Sequence, residues 1–134
     1  MKTILVVEDA ENLVRFVRVN LGVEGYTVTS ARSGREGLEA ALQTKPDLII
    51  LDLMLPQMGG WELLSRVRSH PDLYRIPILI LTATANPEEE AHARRIGATD
   101  YLVKPVSASE LVRHVRRILG EGTPPTPPAE DKSA

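Results

Sequence analysis

The residues in this chain best equipped for chemistry are Glu8, Asp9, Asp52, Thr82 and Lys104. Each ends or follows a short apolar run. Ile4-Leu5-Val6-Val7 leads into Glu8-Asp9, and Leu48-Ile49-Ile50-Leu51 into Asp52. Ile78-Leu79-Ile80-Leu81 leads into Thr82, and Tyr101-Leu102-Val103 into Lys104. A charge inside a buried strand would cost several kcal/mol or be neutralised by a shifted pKa. At the last residue of the strand it reaches a crevice instead. Three carboxylates in one crevice repel and raise one another's pKa unless something compensates. One lysine cannot neutralise all three. A hard divalent cation can, and Mg²⁺ asks for only one or two carboxylates plus waters and a phosphate. A lysine and a threonine hydroxyl beside such a cation make a receptor for phosphoryl oxygens. The set fits phosphoryl transfer: a carboxylate nucleophile, a metal, a cationic clamp and a hydroxyl donor. Singly, each residue has a plainer reading. Asp52 would be a solvated turn acid, Glu8-Asp9 a negative charge for a helix start, Thr82 a strand former and Lys104 a surface lysine. Their coincidence at the ends of four strands argues against all four plain readings together.

The elements that must position them follow from periodicity. Residues 2–7 read as a buried strand. From Asn12 the spacing of Leu13, Phe16, Val17 and Leu21 gives one helical face, closed by Gly22 and Gly25. Tyr26-Thr27-Val28-Thr29 alternates and is rich in strand formers. Ser33-Gly34-Arg35-Glu36 is a capping box that opens a helix with Leu38, Ala41 and Leu42 inward. Lys45-Pro46-Asp47 breaks the chain before the strand 48–52. Pro56 and Gly59-Gly60 mark a loop, and Trp61, Leu64 and Val67 a third helix ended by His70-Pro71. Residues 76–81 form a fourth strand. Asn86-Pro87 followed by Glu88-Glu89-Glu90 is a helix start with cap, proline and carboxylates in their favoured places. Gly97 closes that helix. Residues 101–103 form a fifth strand. Ser107-Ala108-Ser109-Glu110 caps a last helix carrying Leu111, Val115, Ile118 and Leu119, with Gly120 after it. Five strands alternating with five helices predict an α/β, doubly wound, five-stranded parallel sheet covered on both faces. In such sheets ligands bind beyond the carboxyl ends of the strands.

Composition sets the bounds. The chain has 134 residues, 43% of them apolar, enough for one core. No apolar run approaches the ~20 residues that span a bilayer, and the N-terminus lacks the pattern of a signal peptide. The absence of cysteine excludes disulfides and thiolate metal sites and fits a reducing, cytoplasmic compartment. The net charge of −2 gives no basic field for direct DNA binding. Residues 1–120 are expected to form the domain. Residues 121–134, proline-rich and acidic, read as an extended, disordered tail or linker.

Over about residues 2–120 the chain resembles the receiver domain of two-component response regulators. The resemblance rests on Val7-Glu8-Asp9, the strand ending in Asp52, Met54-Leu55-Pro56 with Met58-Gly59-Gly60, Leu81-Thr82-Ala83, and Asp100-Tyr101-Leu102-Val103-Lys104-Pro105. It implies a flavodoxin-like strand order 2-1-3-4-5 and a signalling switch rather than an enzyme, catalysing only its own phosphorylation and slow dephosphorylation. Asp52 would accept a phosphoryl group from a phosphohistidine, on a sensor histidine kinase or a phosphotransfer protein. Asp9 and Asp52 would hold Mg²⁺ together with the backbone carbonyl of Met54, and Glu8 through water. Thr82 and Lys104 would hold phosphoryl oxygens. Thr82, on moving, would let Tyr101 turn inward, and a downstream protein would read the surface of the fourth helix, fifth strand and fifth helix. A phosphorylation-dependent homodimer through that surface is a further possibility. The family also implies a cis bond at Lys104-Pro105.

Three positions depart from the usual pattern: Gly59 where an acid is frequent, Val106 where phenylalanine is frequent, and Thr99-Asp100 where receivers fused to winged-helix domains carry two acids. The last weakens the case for a dimer. Arg113, His114, Arg116 and Arg117 read as a solvated basic face, and His70 and His92 as surface residues. Trp61 reads as packing at the core or rim. Two other functions share the architecture. A flavodoxin-type nucleotide carrier would need a glycine- or hydroxyl-rich loop where Glu8-Asp9 stands. An aspartate-nucleophile phosphatase would need a second acid where Met54 stands. A module that binds without being phosphorylated would not need Asp52, Thr82 and Lys104 together.

Overall fold

The computed structural model describes residues 2–55 and 57–121. The expected proline-rich tail, Glu121 apart, and Pro56 of the loop motif lie outside the described residues. Ten elements alternate along the chain. They are β1 Thr3–Val7, α1 Glu11–Val23, β2 Thr27–Ala31, α2 Gly34–Thr44 and β3 Leu48–Asp52, then α3 Gly60–Ser69, β4 Ile78–Thr82, α4 Pro87–Ile96, β5 Asp100–Val103 and α5 Ala108–Ile118. The strands form one sheet in the order β2-β1-β3-β4-β5, every neighbouring pair parallel. This is the flavodoxin-like topology expected from the sequence.

The period-two geometry of a strand divides the apolar runs between two cores. Leu5, Val7, Ile49, Leu51, Ile78 and Ile80 face one layer, where α2, α3 and α4 contribute Ala41, Leu63, Leu64, Val67 and Ala93. Ile4, Val6, Leu48, Ile50, Leu79 and Leu81 face the other, against Val17 and Leu21 of α1 and Leu111 and Val115 of α5. With both faces covered, β3 and β4 are buried along their whole length. Each fully buried leucine or isoleucine is worth about 2 kcal/mol over its exposed state. That holds β3 at the centre and leaves Asp52 at its only open end.

Local signals hold with small displacements. Ser33 accepts from the Glu36 amide, Asn86 from those of Glu88 and Glu89, and Ser107 from that of Glu110. Glu36 returns not to the Ser33 amide but to that of Arg32, one residue earlier. Gly22 does not end α1: a Cβ there would meet nothing, and the helix runs through it to Val23. The break comes at Gly25, whose φ of +96° suits glycine. Lys45 ends α2 in the left-handed region, at φ 46°. β2 begins one residue later than expected and runs on to Ala31, because its whole length pairs with β1, from Thr3↔Thr27 to Val7↔Ala31. β4 starts at Ile78, two residues late, after Pro77, which has no amide to give to a ladder.

Candidate phosphoryl-acceptor site

Register brings the site together. Val7 lies opposite Leu51 and Asp52 opposite Leu81, so Glu8, Asp52 and Thr82 emerge side by side from β1, β3 and β4. Thr82 lies opposite Val103, and the Lys104 amide donates to the Thr82 carbonyl at 2.7 Å, which carries Lys104 to the same end. The order of strands reverses between β1 and β3, where crevices form in open α/β sheets.

Glu8, Asp9 and Asp52 each offer a carboxylate oxygen, and these lie within 4.8 Å of one another. Glu8 and Asp52 are buried, while Asp9 is exposed. Lys104 Nζ sits 3.2 Å from Glu8 Oε1 and 3.6 Å from Asp52 Oδ2. Asp52 Oδ1 also accepts from the Met54 amide at 3.0 Å, and Glu8 Oε2 from that of Ala10 at 3.0 Å. Burial pushes the Glu8 carboxyl up from its ordinary value, and the Asp52 charge adds to this. The Ala10 amide and Lys104 pull it back only in part. The crevice thus gathers three acids and one cation. Hard oxygen donors with surplus negative charge are what Mg²⁺ takes, so the donor set fits that ion.

The backbone leaves little room around Asp52. A Cβ on Gly60 would stand 2.5 Å from the Asp52 carbonyl oxygen and 2.5 Å from Leu53 Cα. One on Gly34 would stand 1.7 Å from the Met58 carbonyl oxygen. Both glycines let helix starts press against the chain that follows β3. Gln57 and Met58 turn that loop with positive φ, 48° and 62°. The Met54 side chain is exposed beside the site, at 73%. The Lys104-Pro105 bond is cis, as the resemblance implied.

The remaining two expected site residues face elsewhere. Thr82 is buried, and its hydroxyl donates to Glu89 Oε1 at 3.4 Å and accepts from the Thr84 amide at 3.3 Å. Tyr101 is already inward, 7% exposed, and its hydroxyl donates to the same Glu89 oxygen at 2.6 Å, with the Thr84 carbonyl at 3.4 Å. Burial, then Glu89, pushes the Tyr101 phenol up to about 12. Glu89 escaped sequence reasoning. The available signal was its place as the third residue of α4 after the Asn86 cap. A carboxylate there points back over the helix start, as in a capping box; here it finds Tyr101 rather than the cap amide.

The basic run on α5 differs from its expected reading as a solvated face. His114 Nδ1 lies 2.6 Å from Asp100 Oδ2, Arg117 3.2 Å from the same oxygen, and Arg116 2.9 Å from Glu24. Among these four, Arg113 alone keeps to the expectation by remaining exposed with no partner among the described residues. Trp61 packs its ring against that of His92, centroids 4.9 Å apart.

A parallel sheet of this order, with an acidic crevice, a threonine and a lysine at its carboxyl edge, defines a CheY-like receiver fold. A family model described as the response regulator receiver domain matches residues 4–116. The transcriptional regulatory protein PcoR of Escherichia coli is 41% identical over 119 residues, which cover 89% of this chain and 52% of that protein. The chain spans about half the length of the curated relatives it matches. The chemotaxis response regulator CheY4 of Vibrio cholerae is 35% identical at a TM-score of 0.84, covering 88% of this chain and 98% of that one. The receiver domain of sensor histidine kinase PA1611 from Pseudomonas aeruginosa PAO1, solved with a magnesium ion coordinated in its active-site cleft, is 31% identical. Its TM-score is 0.82, and the match covers 89% of this chain and 98% of that one. The chain belongs to the response regulator receiver family, the phosphorylation-dependent switch of two-component signalling.

Proposed function

We propose that this receiver takes its phosphoryl group on Asp52. The observation that carries the reading is the convergence of Glu8, Asp9 and Asp52 within 4.8 Å, with Lys104 bridging Asp52 and Glu8. An Asp52 oxygen attacks phosphorus in line as the bond from phosphorus to the donor's imidazole nitrogen breaks, and the imidazole leaves carrying its proton. Lys104 stabilises charge on the phosphoryl oxygens, and the Thr82 hydroxyl donates to one of them. Asp9, Asp52 and the Met54 carbonyl would hold Mg²⁺, with Glu8 acting through water. When bound, the ion offsets the repulsion among carboxylates and phosphoryl oxygens. Phosphorylation and slow dephosphorylation would be the only reactions the chain assists. The position two residues after Asp52 is Met54, which has no proton to exchange, so no side chain there activates water.

The donor would be a sensor histidine kinase or phosphotransfer protein, in the cytoplasm. The output would pass to a downstream protein through α4, β5 and α5, without direct DNA contact by these residues. No helix among the described residues is long and apolar enough to cross a membrane. Incubation with acetyl phosphate and Mg²⁺ tests the reading by intact mass. One phosphoryl group is expected on the wild type and none on Asp52→Asn. No gain on the wild type, or an equal gain on the variant, overturns it.

A further inference from the structure

The hydrogen bonds around Thr82 and Tyr101 converge on one atom that the phosphoacceptor reading does not use. Glu89 Oε1 accepts from Tyr101 at 2.6 Å and from Thr82 at 3.4 Å. Tyr101 is buried in the same core as Ala93 of α4 and lies opposite Ile80 in the sheet. Its hydroxyl therefore needs an acceptor, since an unpaired buried hydroxyl is costly. The acceptor comes from the chain itself. The Thr82 hydroxyl also contacts the phenol, but the short bond is the one to Glu89.

We propose that Glu89 is the positioning residue of the switch: its carboxylate holds Tyr101 inward whether or not Asp52 is phosphorylated, and it competes with the phosphoryl group for the Thr82 hydroxyl. A threonine hydroxyl has one proton to donate. Given to Glu89, that proton is not available at the crevice; given to a phosphoryl oxygen, it is withdrawn from Glu89. The two contacts differ in strength. At 2.6 Å the Tyr101 contact is a short, charge-assisted bond. At 3.4 Å the Thr82 contact is beyond the favoured range for hydroxyl donors, and it is the one that gives way. The transition therefore runs from a carboxylate with two hydroxyl partners to one with Tyr101 alone. The signal reaches the surface as a change at Glu89, on the first turn of α4, rather than as a flip of the tyrosine. This rests on Thr82 meeting the phosphoryl group as proposed above.

The test uses the full chain with its three tyrosines replaced by 3-fluorotyrosine, Tyr101 being assigned through Tyr101→Phe. Fluorine NMR reports whether Tyr101 is shielded from solvent. In the unphosphorylated wild type its resonance is expected to be shielded, and to stay so after acetyl phosphate and Mg²⁺. Glu89→Ala should lower the ratio of shielded to exposed Tyr101 on the order of tenfold, the effect of losing a charged acceptor. Glu89→Gln keeps an oxygen acceptor and should restore most of it, which a general loosening of α4 would not predict. An exposed Tyr101 in the unphosphorylated wild type overturns the proposal without recourse to any variant. So does an unchanged resonance in Glu89→Ala. Intact mass on the same samples separates the two readings. A phosphoryl gain with Tyr101 indifferent to Glu89 overturns this one alone; no gain with Tyr101 responding overturns the phosphoacceptor reading and the competition for Thr82 with it, while the hold of Glu89 on Tyr101 stands.

Discussion

Asp52 lies at the end of a strand whose four preceding residues are all buried, and its surroundings are arranged for a charge the chain does not itself balance. Lys104 is shared between Asp52 and Glu8, and Asp9 adds a third carboxylate. Without a divalent cation, removing one negative charge should relieve repulsion. Asp52→Asn is therefore expected to be more stable than the wild type in chelator by on the order of 1 kcal/mol, with Lys104 still paired to Glu8. Adding Mg²⁺ should raise the stability of the wild type with concentration, as any ligand of the native state does. It should raise that of the variant far less. Urea denaturation with and without Mg²⁺ measures both effects. A variant less stable than the wild type in chelator would show that Asp52 is tied down by its neighbours rather than strained by them.

At the scale of elements, two adjacent glycines part company. Gly60 opens α3 against the backbone of Asp52 and Leu53, at distances that no side chain can share. Gly59 precedes it with nothing nearer than the Leu55 carbonyl, at 3.9 Å. Gly60→Ala should cost about 1–3 kcal/mol, since backbone on both sides must move. Gly59→Ala should be nearly neutral, and paired denaturation curves decide. The sequence marked this pair as a loop and as part of the receiver motif, without separating the two glycines. Which of two glycines meets the site depends on how closely α3 approaches β3, and no local pattern encodes that distance. The caps at Ser33, Asn86 and Ser107 were legible because each is satisfied within a single turn. So were the strand ends, since an apolar run stopping at a charge has few other places to go. Glu89 was not legible, because its partners come from β4 and β5. Of the two glycines read as closing α1, Gly22 lies inside the helix, because an exposed glycine costs a helix only about 1 kcal/mol, too little to stop one anchored by the buried Leu21 just before it.

At the scale of the whole molecule, the surface made by α4, β5 and α5 is organised by Asp100. Its carboxylate meets His114 at 2.6 Å, Arg117 at 3.2 Å and Arg94 at 3.5 Å. Burial works to raise its pKa. It is outweighed by the bonds from His114, the Tyr101 amide and Arg117, which together bring it down to about 2. A carboxyl held below its ordinary 3.8 stabilises the fold above that value, and the contribution is lost as pH falls from about 4 through 2. Asp100→Asn should accordingly lose about 2 kcal/mol at neutral pH. The gap to the wild type should close on acidification, as followed by denaturation at several pH values. Two arginines and a histidine of its own chain, Arg94, Arg117 and His114, thus already surround this acid on that face.

Arg68 has a wider consequence than its place at the end of α3 suggests. Its guanidinium donates to the carbonyls of Gly97, Ile76 and Tyr74, so one side chain pins the far end of α4 to the start of β4. Gly97 makes this possible, since a Cβ there would stand 2.7 Å from the arginine. α4 itself buries only Ala93, near the same end. The helix is thus held at its C-terminal end by Arg68, while near its N-terminal end the Glu89 carboxylate ties it to Tyr101 and Thr82. A ten-residue helix gives an arm of about 15 Å. If Glu89 gives up Thr82 as proposed, a small shift there would tilt α4 about its Arg68-held end.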